Sequence, residues 1–282
     1  MLGVFVTKAD GSRQLFDKNK AVRTCLKMGA SSQVAYEVAE KVESRLYDGI
    51  STQMIHRMII RFLRKYKPEV RNLFDLRKGI SLMSPKPEFE LFVQTLLMHN
   101  GFEVRPSQIL SGKCVEHEVD AVARKDGVTF FVEAKHHFSY HSLTGLDESR
   151  IARAILEDVT ENEIPEGNDW KIDQAMIVTN TKYSDHALQY GSCRNILQIG
   201  WSSPANLGLQ NMIEKKRLYP LSCLRGLPAE IRFKLVESGI VLIGQLLCEN
   251  LHELAVKTGL RQDVLRDVVE KVRSTSAAVW HI

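Results

Sequence analysis

Two carboxylates and a lysine lie within one short stretch, residues 118–135, which reads EVDAVARKDGVTFFVEAK. Asp126-Gly127 is typical of the two-residue loop of a β-hairpin, and such a loop fixes the register of the two strands. That register sets Asp120 opposite Glu133, and directly opposed residues lie on the same face of a hairpin. Facing carboxylates raise each other's pKa or bind a cation. The stretch therefore predicts a cation site on one face of a hairpin.

Lys135 follows Glu133 by two residues and so shares its face of the strand. Hard divalent ions such as Mg²⁺ take oxygen ligands from one or two carboxylates plus water and phosphate, and a nearby lysine can position or deprotonate a water. The pattern thus suits metal-assisted phosphodiester hydrolysis. The alternative is a solvated face with random ion pairs, since short patterns arise by chance. The same register sets Glu118 opposite Lys135, which favours an ion pair over a ligand role.

Three histidines, His136, His137 and His141, follow Lys135 closely. Imidazole suits transition-metal ions, so a second metal site is one interpretation. No further ligand set is spaced to complete a tetrahedral site. We favour a polar strand end that contacts substrate phosphate or nothing.

Composition and charge limit the classes of function. The 282 residues include 38 lysines and arginines against 34 acidic residues, and the net charge of +4 permits nucleic-acid binding without requiring it. The apolar runs are too short to span a bilayer, and no signal-peptide pattern opens the chain. Five scattered cysteines without a C-x-x-C pair are typical of a reducing compartment. We expect a cytoplasmic protein with no membrane partner.

The first 80 or so residues are predicted to form a small, mostly helical unit. Alternation from Val4 to Phe16 around the Ala9-Asp10-Gly11 turn predicts a hairpin. Four helices follow: residues 18–28, a second begun by Ser31-Ser32 and stopping at Gly49, a third begun by Ser51-Thr52, and a fourth from Glu69 to about Lys78.

This segment resembles the ATP-cone, the nucleotide-sensing domain of ribonucleotide reductases and their transcriptional repressor. The matching pieces are VTKADGSRQLFDKNKA and YDGISTQMIHRMI. The resemblance implies that ATP or dATP binds here, with Lys8 and Lys20 on the phosphates and, on the ribose and adenine side, Val6, Gln14, Asp17, Thr52 and His56. Taken alone, the two lysines and His56 would be interpreted as surface or packing residues.

The middle of the chain alternates between helices and strands. Ser84-Pro85-Lys86-Pro87 predicts a linker, and PEFELFVQTLLMHNG a helix that ends near Gly101. The order helix, strands, helix, strand, helix, strand indicates a mixed α/β layer around a central sheet. The helices after the hairpin cover residues 143–162 and SDHALQYGSC, and the later strands are AMIVTN and NILQIGW.

This middle segment resembles the Mrr-like branch of the PD-(D/E)XK nucleases. The matching pieces are Phe89-Glu90, the V-D of EVDAVA, V-E-A-K, and the stretch Thr179 to Ser184. The resemblance implies that Mg²⁺ or Mn²⁺ is held by Asp120, Glu133 and the carbonyl of Ala134. It further implies that Lys135 orients or activates the attacking water and that Glu90 is a supporting carboxylate.

The C-terminal segment is predicted to be all helical. Short amphipathic helices are separated by Gly226, Gly239 and Gly259, a cadence that resembles helix-hairpin-helix modules. Such modules bind DNA phosphates through backbone N–H groups at the turn. Here the turn with Gly259 and Arg261 is the better candidate, because Pro228 removes an amide from the first turn. A packing or dimerisation module is an equal alternative.

Together these observations predict an α/β multidomain protein. It comprises a small, mostly helical ATP-cone (1–83), a mixed-sheet α/β restriction-endonuclease-like domain (84–213) and an all-α module (214–282). The predicted function is a metal-dependent DNA endonuclease controlled by ATP or dATP, through domain arrangement or through a homo-oligomer. The alternative is a nucleotide-responsive DNA-binding regulator with an inactive nuclease fold. A kinase or ATPase is not supported, since the chain has no G-x-x-x-x-G-K-[ST] loop.

Overall fold

The computed structural model describes residues 3–8, 11–67, 75–162 and 170–279. It divides them into two compact units. The first unit draws on the chain before residue 75 and on 224–228 and 246–279, and the second on 75–223 and 229–245. This division differs from the three consecutive domains that the sequence predicts, because the chain passes between the units more than once.

The first unit begins with the predicted hairpin. Strands β1 (Phe5–Thr7) and β2 (Arg13–Leu15) pair antiparallel. A third strand, β3 (Ile50–Ser51), pairs parallel with β1 and was not predicted. The turn residues Ala9 and Asp10 lie outside the described residues.

Three helices follow this small sheet: α1 (Lys18–Lys27), α2 (Ser32–Glu43) and α3 (Thr52–Leu63). The predicted start signals are confirmed, since the hydroxyls of Ser31 and Ser51 each accept a hydrogen bond from a backbone N–H in the first turn of α2 and α3. The prediction that α2 continues to Gly49 is wrong. The chain leaves the helix earlier so that Ile50, which is 1% exposed, can pair with Val6.

Helix α4 (Leu76–Ser81) is the described end of the predicted fourth helix, and residues 69–74 lie outside the described part of the chain. Helix α4 belongs to the second unit, because Ile80 of the helix and Met83 just after it are fully buried in the core of that unit. Gly79 lets α4 approach Cys223 closely, since a Cβ there would lie 3.0 Å from the Cα of Cys223.

The second unit is built on a mixed sheet, as predicted, and this sheet has five strands. Its order is β10-β8-β6-β5-β4, formed by β4 (Glu103–Ser111), β5 (Glu116–Lys125), β6 (Val128–Lys135), β8 (Gln174–Thr179) and β10 (Leu197–Ile199). Strands β4, β5 and β6 run antiparallel, whereas β6, β8 and β10 run parallel. A separate pair joins β7 (Leu143–Thr144) to β9 (Lys182–Tyr183).

Helices cover both faces of this sheet. On one face, α5 (Glu90–His99) and α8 (Leu209–Lys216) share a core with Ala121, Val132 and Met176. On the other face, α6 (Leu146–Glu161) and α7 (Asp185–Cys193) pack on Phe131 and Ile177. Helix α6 starts after the predicted Leu143, because residues 143–144 are taken by β7.

The C-terminal part of the chain is helical, as predicted, with α9 (Ala229–Glu237), α10 (Ile243–Cys248), α11 (Leu251–Thr258) and α12 (Gln262–Val279). Val236, Val241 and Leu242 join the core of the second unit, which explains why residues 229–245 belong to it. Within the described ranges, every helix is too short or too polar to cross a bilayer.

Candidate active site

Strands β5 and β6 part at the acidic end of the hairpin. Their pairing runs from Lys125 opposite Val128, the predicted register, to Ala121 opposite Val132. Beyond that point β5 stays with β4 and β6 stays with β8. The predicted pairs of Asp120 with Glu133 and of Glu118 with Lys135 are therefore absent from the described ladder.

The side chain of Asp120 bridges the gap instead. Its Oδ2 accepts a hydrogen bond of 2.7 Å from the backbone N–H of Ala134 on β6. The backbone carbonyl of Asp120 accepts a hydrogen bond of 2.8 Å from Nε2 of Gln94 on α5. The carboxylate is thus fixed against β6, with Oδ1 left to face other groups.

Two further carboxylates converge on Asp120. Burial, followed by the neighbouring Asp120 carboxylate, raises the pKa of Glu90 to about 7. Burial likewise raises the pKa of Glu133 to about 7, with Asp120 as the next cause. Glu90 opens α5 and its side chain is only 13% exposed, as is that of Asp120. The three carboxylates form an electrostatically unfavourable cluster that a cation would relieve.

Lys135 pairs with a carboxylate that sequence reasoning missed. Its Nζ lies 2.7 Å from Oε1 of Glu148, in the first turn of α6. The prediction that Glu118 pairs with Lys135 is not what the structure shows, because β5 has already turned away towards β4. Glu118 is 76% exposed and lies near Lys86 instead.

Lys86 is the second residue that sequence reasoning missed. Its Nζ lies 3.2 Å from Oε1 of Glu90, 3.7 Å from Oδ1 of Asp120 and 3.7 Å from Oε1 of Glu118. The bond to Glu90 is the main cause that raises the pKa of Lys86. The spacing of four residues between Lys86 and Glu90 was the available signal, but the prolines around Lys86 masked it.

The stretch Thr179 to Ser184 has a clear structural role beside the site. Asn180 is buried and exchanges two hydrogen bonds of 2.8 Å with the backbone of His137. The hydroxyl of Thr179 lies 2.9 Å from that of Thr144. The stretch therefore anchors the chain that leaves β6 directly after Lys135.

The three histidines after Lys135 have partners of their own. The His136 ring lies between Phe89 and Phe138, and its Nε2 is 3.0 Å from the carbonyl oxygen of Ile80. Nε2 of His137 is 3.1 Å from the hydroxyl of Thr144, and His141 stacks on Tyr140. The described contacts of these rings are thus with the protein around the site.

A divalent cation suits this donor set in an open geometry. Within the described ranges, no group of three or more His, Cys, Asp and Glu side chains is arranged to enclose a metal ion. Mg²⁺ does not require such a cage, because it keeps several waters and binds through one or two carboxylates. Asp120 and Glu133 with the carbonyl of Ala134 fit that requirement, and the Lys86 ammonium already lies near Asp120 and Glu90.

A separate pocket lies in the first unit. Six of the seven residues predicted to bind a nucleotide line it: Val6, Gln14, Asp17, Lys20, Thr52 and His56. Its apolar wall includes Ala21, Ile55 and Ile59, and Asp17 caps α1 by accepting the Asn19 amide at 2.9 Å. The Nε2 atom of His56 is buried without a hydrogen-bond partner among the described residues. An apolar wall with a few polar groups is the usual form of a small-molecule site.

Lys8 is the predicted residue that does not line this pocket. It follows β1, and its backbone closes the hairpin through bonds with Ser12 and Gly11. The structure therefore brings Lys20, but not Lys8, to the pocket.

The turn predicted to bind DNA uses its amides internally. The N–H of Gly259 donates to the carbonyl of Ala255, and that of Leu260 to the hydroxyl of Thr258. Arg261 is bonded to Asp263, whose carboxylate also accepts backbone amides at the start of α12. A carboxylate at this helix start disfavours a phosphate there, so Gly259 and Arg261 are not favoured as a DNA site.

Two family models match the chain in succession. The ATP cone domain matches residues 4–78, and the restriction endonuclease domain matches residues 80–199. The first range holds the pocket around Lys20, and the second holds Glu90, Asp120, Glu133 and Lys135.

Individual proteins resemble the chain over most of their own length. An uncharacterized protein of Archaeoglobus fulgidus is 33% identical over 175 residues, which cover 61% of this chain and 95% of that protein. A crystal structure of a protein of unknown function is 32% identical, with a TM-score of 0.59, and is matched over 67% of this chain and 96% of its own. The chain belongs to the family of proteins in which an ATP-cone domain is followed by a restriction endonuclease domain.

Proposed function

We propose that this protein is a metal-dependent DNA endonuclease whose activity responds to ATP or dATP bound in the first unit. The observation that carries the nuclease is the convergence of Glu90, Asp120 and Glu133 where β5 and β6 part, with Lys135 on the same strand end. The fold and the family support the same chemistry, since restriction endonucleases hydrolyse phosphodiester bonds in DNA.

Asp120 and Glu133, with the carbonyl of Ala134, would hold Mg²⁺ or Mn²⁺, and Glu90 would support them directly or through water. A bound divalent ion supplies charge neutralisation at the phosphate and a more acidic water. Asp120 is suited to this role because its bond to the Ala134 amide fixes one oxygen and leaves the other available. The half-buried setting of Glu133 strengthens its interaction with any cation.

Lys135 would donate hydrogen bonds to the attacking water and to the phosphate oxygen on which negative charge develops. Its pairing with Glu148 holds the ammonium on the α6 side of the strand end. Its side chain remains 43% exposed, so it can reach a substrate without a rearrangement of the sheet.

Cleavage assays test the nuclease directly. Linear, supercoiled, methylated and branched DNA would be incubated with Mg²⁺ or Mn²⁺ and either wild-type protein or Asp120→Asn. We expect cleavage of at least one substrate by the wild type and none by the variant. Equal behaviour of the two proteins on every substrate would favour the alternative, a nucleotide-responsive DNA-binding regulator.

The nucleotide response is supported by the pocket that Lys20 and Gln14 line, where Lys20 Nζ lies 3.5 Å from Oε1 of Gln14. A cationic group at the rim suits phosphates, and the apolar wall suits a base. We expect ATP or dATP to change the cleavage rate or the oligomer size.

Lys20→Ala provides the test, with Lys27→Ala as its control on the same helix but outside the pocket. Nucleotide binding should weaken at least tenfold in the first variant and remain unchanged in the second. Cleavage and sedimentation that are identical with and without nucleotide, at proven binding, would contradict the regulatory part of the proposal.

A further inference from the structure

The segment before α5 carries a lysine into the carboxylate cluster. Lys86 lies between Pro85 and Pro87, and its backbone is extended (φ −120°, ψ 139°) within an otherwise helical turn. Its ammonium lies within 3.7 Å of oxygen atoms of Glu90, Asp120 and Glu118. Lys86 is therefore a cation that the chain itself supplies to this site.

A divalent ion would need the same oxygens. Metal–oxygen bonds of Mg²⁺ are about 2.1 Å long, whereas an ammonium contacts a carboxylate at about 2.8 Å or more. Both cations cannot lie against Glu90 and Asp120 without strong mutual repulsion. Occupancy by the metal and by the Lys86 ammonium is thus mutually exclusive.

The Lys86 side chain is freer to move than the carboxylates that it contacts. The Lys86 side chain is 65% exposed, whereas those of Glu90 and Asp120 are 13% exposed. Asp120 is also fixed by the Ala134 amide, and Glu90 lies in the first turn of α5. The lysine can leave into solvent, but the carboxylates must stay.

We propose that Lys86 is an internal competitor for the divalent metal, so that it sets the metal concentration at which the site fills. This inference rests on the metal-dependent site proposed above. Lys86 neutralises the cluster in the metal-free protein and swings out when a divalent ion binds. The carboxylates then have a cation beside them both in the metal-free protein and in the metal-bound protein.

Mn²⁺ binding to the full chain without DNA, measured by calorimetry or by electron paramagnetic resonance, tests this inference. Lys86→Met removes the charge but keeps the length of the side chain, and Lys86→Arg keeps the charge. Lys113→Met is the matched control, because Lys113 is 61% exposed and pairs with Glu161 away from the cluster. Thermal unfolding of each variant shows that it is folded.

We expect Lys86→Met to bind Mn²⁺ about fivefold more tightly than the wild type, the size of effect that an exposed ion pair can give. Lys86→Arg and Lys113→Met should bind as the wild type does. Unchanged or weaker binding by Lys86→Met, while Asp120→Asn still abolishes binding, would overturn the role of Lys86 and leave the metal site standing. Absence of Asp120-dependent binding in every variant would overturn both.

Discussion

At the scale of single residues, the carboxylate cluster could be found from sequence because a hairpin is local. Asp126-Gly127 fixes the register of the described pairs, which runs to Ala121 opposite Val132. Asp120 and Glu133 are the next residue on each strand, just beyond this last pair, so the sequence could place them near each other although the strands part there. Glu148 and Lys86 could not be found in this way. Each reaches the site from a distant element, and an ion pair formed across elements leaves no local pattern.

The role of Glu148 leads to a first prediction. Glu148→Gln should lower kcat about fivefold with little change in KM, because Lys135 loses the partner that fixes its ammonium, 2.7 Å away. Steady-state cleavage kinetics measure this. Glu157→Gln is the control, since Glu157 pairs with Arg153 on the same helix, and equal losses in both variants would contradict the positioning role.

Asp158 gives a prediction about pH. It accepts from the amides of Cys114 and Val115 and pairs with His117 at 2.8 Å, and that bond is the main cause that lowers its pKa to about 2. The pKa of an aspartate in the unfolded chain is about 3.9. The contribution of Asp158 to the stability of the folded protein is therefore complete well above that pH and is lost as the pH falls towards about 2.

Asp158→Asn should therefore lower the Tm at pH 6, and the gap to the wild type should narrow between pH 5 and pH 3. Thermal unfolding followed by circular dichroism measures it. Asp147→Asn is the control, because Asp147 is 86% exposed. A gap that widens with acidity would be inconsistent with the lowered pKa.

At the scale of elements, most helices and the strands of the central hairpin were predicted, since their periodicity, turn and caps lie in the local sequence. The nine-residue strand β4 was not predicted over its length. Ser31, Ser51 and Ser184 begin helices as expected. Two-residue strands such as β3 were missed, because a pairing of two residues has no period. The early end of α2 was missed as well, because the chain leaves that helix to form β3.

Replacement of two helical glycines by alanine should change the stability of the protein in opposite directions. Gly79→Ala should destabilise the protein by about 1–3 kcal/mol, since an added Cβ would clash with Cys223 Sγ and lie 3.0 Å from Cys223 Cα. Gly244→Ala should be neutral or stabilise by up to about 1 kcal/mol, because an added Cβ would meet, among the described residues outside its own helix turn, no heavy atom within 4 Å. Denaturant unfolding of both variants measures the difference, and equal effects would refute the close approach of α4.

At the scale of the whole molecule, the order of the two matched families could be read from motifs, but the course of the chain could not. Residues 224–228 and 229–245 belong to different units although they are adjacent. Val236 in α9 and Leu265 in α12 are both buried apolar residues of helices, yet they belong to different units, and only tertiary packing decides which unit each one joins.

The pocket and the carboxylate cluster belong to different units, which gives a prediction for ligand footprints. ATP without added metal should slow amide hydrogen exchange in β1, α1 and the start of α3, where the pocket lies. Asp120→Asn should leave this protection unchanged, whereas Lys20→Ala should remove it. Mass spectrometry of exchanged peptides measures both, and protection lost in Asp120→Asn would show that the nucleotide binds elsewhere.

The hydrogen bond from the Ala134 amide makes the Asp120 carboxylate, which we propose binds the metal, also a structural tie between two strands. A truncated side chain at this position would leave that amide without its acceptor, with a penalty of about 1–3 kcal/mol. Loss of cleavage in Asp120→Ala would then have two inseparable causes. Asparagine keeps an acceptor oxygen within reach of the amide while removing the charge, so an inert protein with an intact sheet is obtained only through Asp120→Asn.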